Sequence, residues 1–149
     1  MQSMRVEEVE GAERMTKLKV YTASKLSDGP LWREVQDEWQ EITIVARWPF
    51  LHVTEAGAPG WPEDCAAHGR EFWQHDHDDV AACDVVLVYS QSDKPLVGAL
   101  IEAGMGLALG KAVVLVGSHP SFGTWRFHNG VRHVADLDAA RSLLRLMAG

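Results

Sequence analysis

Asp84-Val85-Val86-Leu87-Val88-Tyr89, Gly98-Ala99-Leu100-Ile101-Glu102-Ala103-Gly104-Met105-Gly106-Leu107-Ala108-Leu109 and Ala112-Val113-Val114-Leu115-Val116 follow one another with only Ser90–Val97 and Gly110-Lys111 between them. The first and third runs are short, continuous and rich in β-branched residues, as strands covered on both faces are. The middle run has the length and small-residue content of a helix, and Gly110 stands at the position where a left-handed residue ends one. Strand, helix, strand in this order predicts a parallel pair joined by a right-handed crossover.

Upstream the pattern repeats. Leu18-Lys19-Val20-Tyr21-Thr22-Ala23 reads as a strand and Ser24–Pro30 as a loop. Trp32, Val35 and Trp39 share one stripe of a helix over 31–40, and Ile42-Thr43-Ile44-Val45-Ala46 reads as a second strand closed by Trp48-Pro49. Residues 55–62 (EAGAPGWP) predict a long loop, and a helix is expected from about Asp64 to Ala82. Downstream, Val131–Val134 predicts a short strand, followed by a capped helix from Asp136 to Met147. The expectation is an α/β fold: an open, about five-stranded parallel sheet with helices on both faces, flavodoxin-like or Rossmann-like. Ligands of such sheets bind at the carboxyl ends of the strands, so the loops after Ala23, Ala46, Tyr89 and Val116 are the places to look.

The chain has 149 residues, enough for one domain with its own core. Residues 17–149 are expected to form that single domain and 1–16, polar and without periodicity, a flexible N-terminal arm. With 21 acidic and 14 basic side chains the net charge is −7, which argues against a nucleic acid polymer or an anionic membrane as partner. A small phosphorylated ligand remains compatible with it. Cys65 and Cys83, unpaired in sequence and set among small residues, read as buried thiols of a reducing compartment. No apolar run reaches the roughly 20 residues of a membrane span, and no signal peptide opens the chain. A cytoplasmic location is the expectation.

Glu102 is the only charged residue between Gly98 and Lys111. An acid in the first turns of a helix is favoured by the helix dipole whatever else it does. This helix, however, starts just past a central strand, where an isolated carboxylate is placed to be a nucleophile or general base. Asp76 falls on one stripe with Phe72, Val80 and Cys83, an otherwise inward face, while Asp78 turns away and Asp79 is borderline. It suits a structural hydrogen bond, or a proton donor or base-recognition group beside Glu102. Two carboxyls in one crevice, with pKa values split by their surroundings, are the usual apparatus of glycosidic cleavage. Tyr21 suits core packing, and at the carboxyl edge of its strand it could orient such a carboxylate. Ser24, Lys25 and Ser27 could bind a phosphate or sugar hydroxyl or cap the next helix. Trp48 and Trp61 could stack on a planar base or pack. His75-Asp76-His77-Asp78-Asp79 begins like a HxHxD metal motif, but Val80 stands where its last histidine belongs, and His75 and His77 would face apart on a helix. The expectation is a solvated helix face, with neither metal nor cofactor.

Taken together these residues resemble the nucleoside 2-deoxyribosyltransferase family over about Leu18 to Leu144. The most specific piece is Gly98-xxx-Glu102-x-Gly104-xxx-Ala108-x-Gly110-Lys111 followed by a valine-rich strand. Val20-Tyr21-Thr22-Ala23-Ser24, Asp84-Val85-Val86 with Asp76 eight residues before it, and Phe127–His133 add to it. The resemblance implies that Glu102 attacks C1′ of a ribose or deoxyribose, that Asp76 binds and protonates the base, and that Tyr21 holds Glu102. It implies transfer or hydrolysis of the N-glycosidic bond of nucleosides or their 5′-monophosphates, no cofactor, and a homo-oligomer, dimer or hexamer. Ser24, Trp48, Leu96 and Gly98 would then border the substrate. Six residues before the nucleophile the family's transferases carry an aspartate and its monophosphate hydrolases a serine; here that position is Leu96. The alternatives are a nucleotide-binding sensor module without turnover, and a metal-dependent hydrolase built on His75, His77 and Asp79.

Overall fold

A computed structural model describes residues 17–51 and 61–149; the expected arm at 1–16 and most of the expected 55–62 loop lie outside them. The elements are β1 (Leu18–Ala23), α1 (Gly29–Glu38), β2 (Ile42–Ile44), α2 (Trp61–Ala82), β3 (Val85–Ser90), α3 (Val97–Ala108), β4 (Ala112–Gly117), β5 (Val131–Val134) and α4 (Leu137–Ala148). Short 3-10 turns at Leu26–Asp28, Trp48–Phe50 and Thr124–Phe127 shape the connections.

The five strands form one all-parallel sheet in the order β2-β1-β3-β4-β5, a flavodoxin-like α/β arrangement. Its middle is dry: all six residues of β3 are buried, as the apolar run requires. Alternation along the strands sends Tyr21 and Val86, neighbours in register, toward α3, and sends Tyr89 to the other face, where its ring meets Trp32 of α1 edge-on at 5.6 Å. On that second face α4 is tied to α1 and the turn after it. Arg141 donates to Glu41 at 2.7 Å and to the Glu38 carbonyl, and its guanidinium lies over the Trp39 ring.

Two glycines let backbones approach. At Gly106 an added Cβ would stand 2.6 Å from Val86 Cγ2, so α3 lies against β3 only because that position is bare. Gly117 ends β4 with φ +88°, and a Cβ there would meet the Ser90 carbonyl oxygen at 2.3 Å.

Several element boundaries depart from the sequence expectation. α1 begins at Gly29, with a proline in its first turn, where the missing N–H costs nothing. β2 stops at Ile44: the Val45 amide still reaches the Val20 carbonyl at 2.9 Å, and the chain then turns away to Arg47. β3 starts at Val85, because Asp84 pairs differently, its side chain accepting the Lys19 amide at 2.9 Å. Trp61-Pro62, expected in a loop, open α2, again with proline in the first helical turn. Cys83 is buried but Cys65 is exposed, because its turn of α2 lies on the surface. No helix among the described residues is long and apolar enough to cross a membrane.

Candidate active site

With β1 and β3 adjacent and their following helices on opposite faces, the loops after these strands diverge and leave a crevice. A cavity of about 640 Å³ occupies it, within the range of small-molecule sites. Its walls come from four segments: Ser24–Ser27 after β1, Arg47, Trp48 and Leu51 after β2, Phe72–Asp76 of α2 except Gln74, and Lys94–Ala99 with Glu102 from the loop after β3 and α3.

Glu102 lies one turn into α3 and is 6% exposed. Its Oε2 accepts a hydrogen bond from the Tyr21 hydroxyl, which joins the helix to β1. Burial pushes the Glu102 carboxyl up to about 8. The phenol's donation works the other way, since it favours the anion. Gly98, one turn earlier, borders the cavity, and an added Cβ there would come to 4.0 Å from Glu102 Oε1. Substituents at this position would therefore fill space in front of the carboxyl.

Asp76 borders the same cavity from α2. Its carboxyl is pushed up to about 6, chiefly by burial and next by the charge of Asp79. Asp79, borderline in the sequence pattern, is buried and holds Arg47: its oxygens accept the Arg47 amide at 3.0 Å and Nε at 2.9 Å, and Nη2 lies 2.9 Å away. Helical periodicity leaves Asp79 undecided, and its partner lies 32 positions upstream, so sequence reasoning missed the pair. A lone arginine just past a strand in a crevice-forming fold was the signal available.

Trp48 anchors the wall after β2 by donating from Nε1 to the Thr22 carbonyl at 2.7 Å, leaving the half-buried ring to border the cavity. Ser24 borders it too, with Oγ accepting from Trp32 Nε1 at 2.7 Å. Lys25 reaches across to Ser92 Oγ, so the loops after β1 and β3 touch. Leu96 is buried, stands immediately before α3 and lines the cavity with its apolar side chain. The loop after β3 is held from behind by His119, which donates from Nε2 to the Lys94 carbonyl at 2.7 Å. His119 Nδ1 in turn accepts the Ser121 amide at 3.0 Å, which fixes the Nε2–H tautomer.

His75 is half-buried and borders the cavity, which corrects the expectation of a solvated histidine face; His77 alone is exposed there. A ring one position before Asp76 shares the inward side of α2 closely enough to be covered by its neighbours. Among the described residues no group of three or more His, Cys, Asp and Glu side chains is disposed to hold a metal ion.

Chemically, the arrangement places one carboxyl with a dedicated phenol donor and a second carboxyl pushed up to about 6 around a mostly apolar cavity. Such a pair can supply a nucleophile or base and an acid. No family model matches the chain, and no curated protein matches its sequence. A solved structure of the CMP N-glycosidase BcmB from Clostridium botulinum is similar to it with a TM-score of 0.46 and 17% sequence identity, covering 86% of this chain and 98% of that one.

Proposed function

We propose that this protein breaks the N-glycosidic bond of a nucleoside or nucleoside 5′-monophosphate through a covalent glycosyl-glutamate, as in nucleoside 2-deoxyribosyltransferases and related N-glycosidases. The observation that carries the reading is that Glu102, engaged by the Tyr21 hydroxyl, shares one cavity with a second carboxyl, Asp76.

A carboxylate oxygen of Glu102 attacks C1′ as the C1′–N bond breaks. The bonding pair leaves with the base, and the Asp76 carboxyl hydrogen-bonds the base and protonates it. In the second half, water attacks C1′, Glu102 departs, and Asp76 takes the proton of the water and is restored. A second base in place of water completes a transfer instead. Dividing one displacement into two lowers the barrier of each.

The competent form has Glu102 ionised and Asp76 protonated. With values of about 8 and about 6 this form is a minority, roughly one molecule in a hundred near pH 7 if the two titrate independently. In that form the Tyr21 hydroxyl stabilises the Glu102 anion, and its attack on C1′ needs no further loss of a proton. Trp48 and Phe72 offer surfaces for a planar base, and Lys25, Lys94, Ser24 and Ser27 offer donors for a sugar hydroxyl or 5′-phosphate.

The test is incubation with deoxynucleosides, ribonucleosides and their 5′-monophosphates, following free base by chromatography and the protein by intact mass. Wild type should release base and carry a sugar adduct lost in Glu102→Ala. Absence of base release, or release undiminished in Glu102→Ala, overturns the reading. Tight nucleotide binding without product would point instead to a sensor module of the same fold.

A further inference from the structure

Asp79 stands one turn beyond Asp76 on α2 and does not border the cavity, yet it is the more deeply buried of the two acids. Its carboxylate is committed to a single partner, Arg47, gripped through backbone amide and guanidinium together. Such a two-point grip sets both where the chain runs after β2 and where the cation rests. Arg47 itself borders the cavity alongside Asp76. Were Asp79 uncharged, nothing would hold this guanidinium away from the other acid of the same helix.

We propose that Asp79 is a positioning residue of the site: by holding Arg47 at both its amide and its guanidinium, it pins the cavity wall after β2 and keeps that cation off Asp76. The inference rests on reading Asp76 as the proton-bearing acid, since an arginine paired with it would strip the proton the leaving base requires. The groups that act on Asp76 agree with this geometry. Asp79 favours the protonated form, whereas His75 and Arg47 favour the ionised one. The other charged groups at the cavity are Lys25 from the loop after β1, and Lys94 and Glu102 from the loop after β3 and α3. Lys25 is engaged with Ser92, and Glu102 with Tyr21. Of the lysines and arginines bordering the cavity, Arg47 is the one whose charge acts on Asp76.

The experiment is a carboxyl-carbon NMR titration of aspartate-labelled full-length protein without substrate, with the Asp76 resonance assigned from Asp76→Asn. In Asp79→Asn the Asp76 midpoint should fall by about one pH unit or more. In Asp79→Asn combined with Arg47→Gln it should return to near the wild-type position, because burial persists and the freed cation is gone. A midpoint that does not fall in the single variant, or a fall that the second substitution does not reverse, overturns the proposal. Should Asp79→Asn fail to fold, Asp79→Glu keeps the charge and should leave the midpoint within a few tenths of a pH unit; a fall of a full unit there is equally fatal. No substrate is needed, so a wild type that releases no base would sink the glycosidase reading while this titration is still decided on its own terms.

Discussion

The Tyr21 hydroxyl of β1 donates to Oε2 of Glu102 on α3, a hydrogen bond spanning 81 positions of sequence and buried at the end of the cavity. Both residues are nearly inaccessible, so this phenol is the fixed donor available to a carboxyl that has lost most of its water. Removing it leaves the acid with burial alone. In Tyr21→Phe the Glu102 carboxyl should hold its proton to still higher pH, and base release should fall roughly 10- to 100-fold at pH 7. The rate–pH profile should shift to the alkaline side. Stability should drop by about 1–2 kcal/mol, the cost of a buried hydrogen bond removed from one side, read by thermal melting.

Glu102→Gln should abolish turnover and at the same time stabilise the protein in mild alkali. In the unfolded chain Glu102 ionises near 4.5, whereas in the folded one it keeps its proton to about 8. The folded state therefore binds the extra proton between these values, and wild-type stability falls as pH rises through that window. Glutamine does not titrate. The variant's melting temperature should match wild type's most closely near pH 4, pull ahead as pH rises, and level off above about pH 8, with a lead of several degrees. A lead that shrinks with rising pH would contradict the burial of a protonated acid here.

Asp76→Asn should lower base release by roughly 100- to 1000-fold, the scale of a lost general acid. The loss should be smallest for substrates whose leaving group is already a stable anion, such as a p-nitrophenyl deoxyriboside, since these need no proton. With Glu102 required ionised and Asp76 protonated, the wild-type profile should rise to a plateau between about 6 and about 8 and fall above it. The asparagine variant should lose the alkaline fall, which follows Asp76, and keep the rise, now extending to about pH 8.

Gly117→Ala should destabilise the sheet at the carboxyl end of β4. Its φ of +88° is unfavourable for any side chain, and the new Cβ would sit 2.3 Å from the Ser90 carbonyl oxygen, a backbone atom that cannot swing aside. A loss of about 2 kcal/mol or more is expected by chemical denaturation, with the slope against denaturant unchanged.

The sheet was legible because its strands announce themselves: the valine runs of β3 and β4 have no other economical home, and the helix between them fixes their direction. Glu102 stood out for the same reason, as one charge in an apolar helix. Asp76 was placed on the inward stripe by periodicity alone. What escaped lies in contacts between distant segments. Asp79, borderline on the helical stripe, could not be assigned a partner without knowing that Arg47 returns to meet it. His75 reads as a surface residue because the wall after β2 and the loop after β3, which border the cavity with it, have no periodicity to read. The shift of Trp61-Pro62 from loop to helix has a local cause, since proline ends helices in their interior yet opens them comfortably.

His119, in the loop after β4, ties that loop to the one after β3: its Nε2–H donates to the Lys94 carbonyl, while Nδ1 accepts the Ser121 amide within its own loop. These two loops are consequently a matched set. Altering substrate range by transplanting a segment at 91–97 would break the bridge wherever its length or course moves the backbone carbonyl at 94, since that carbonyl and not the lysine side chain meets His119. Successful chimeras of this scaffold should be those that keep His119 and the length of both loops.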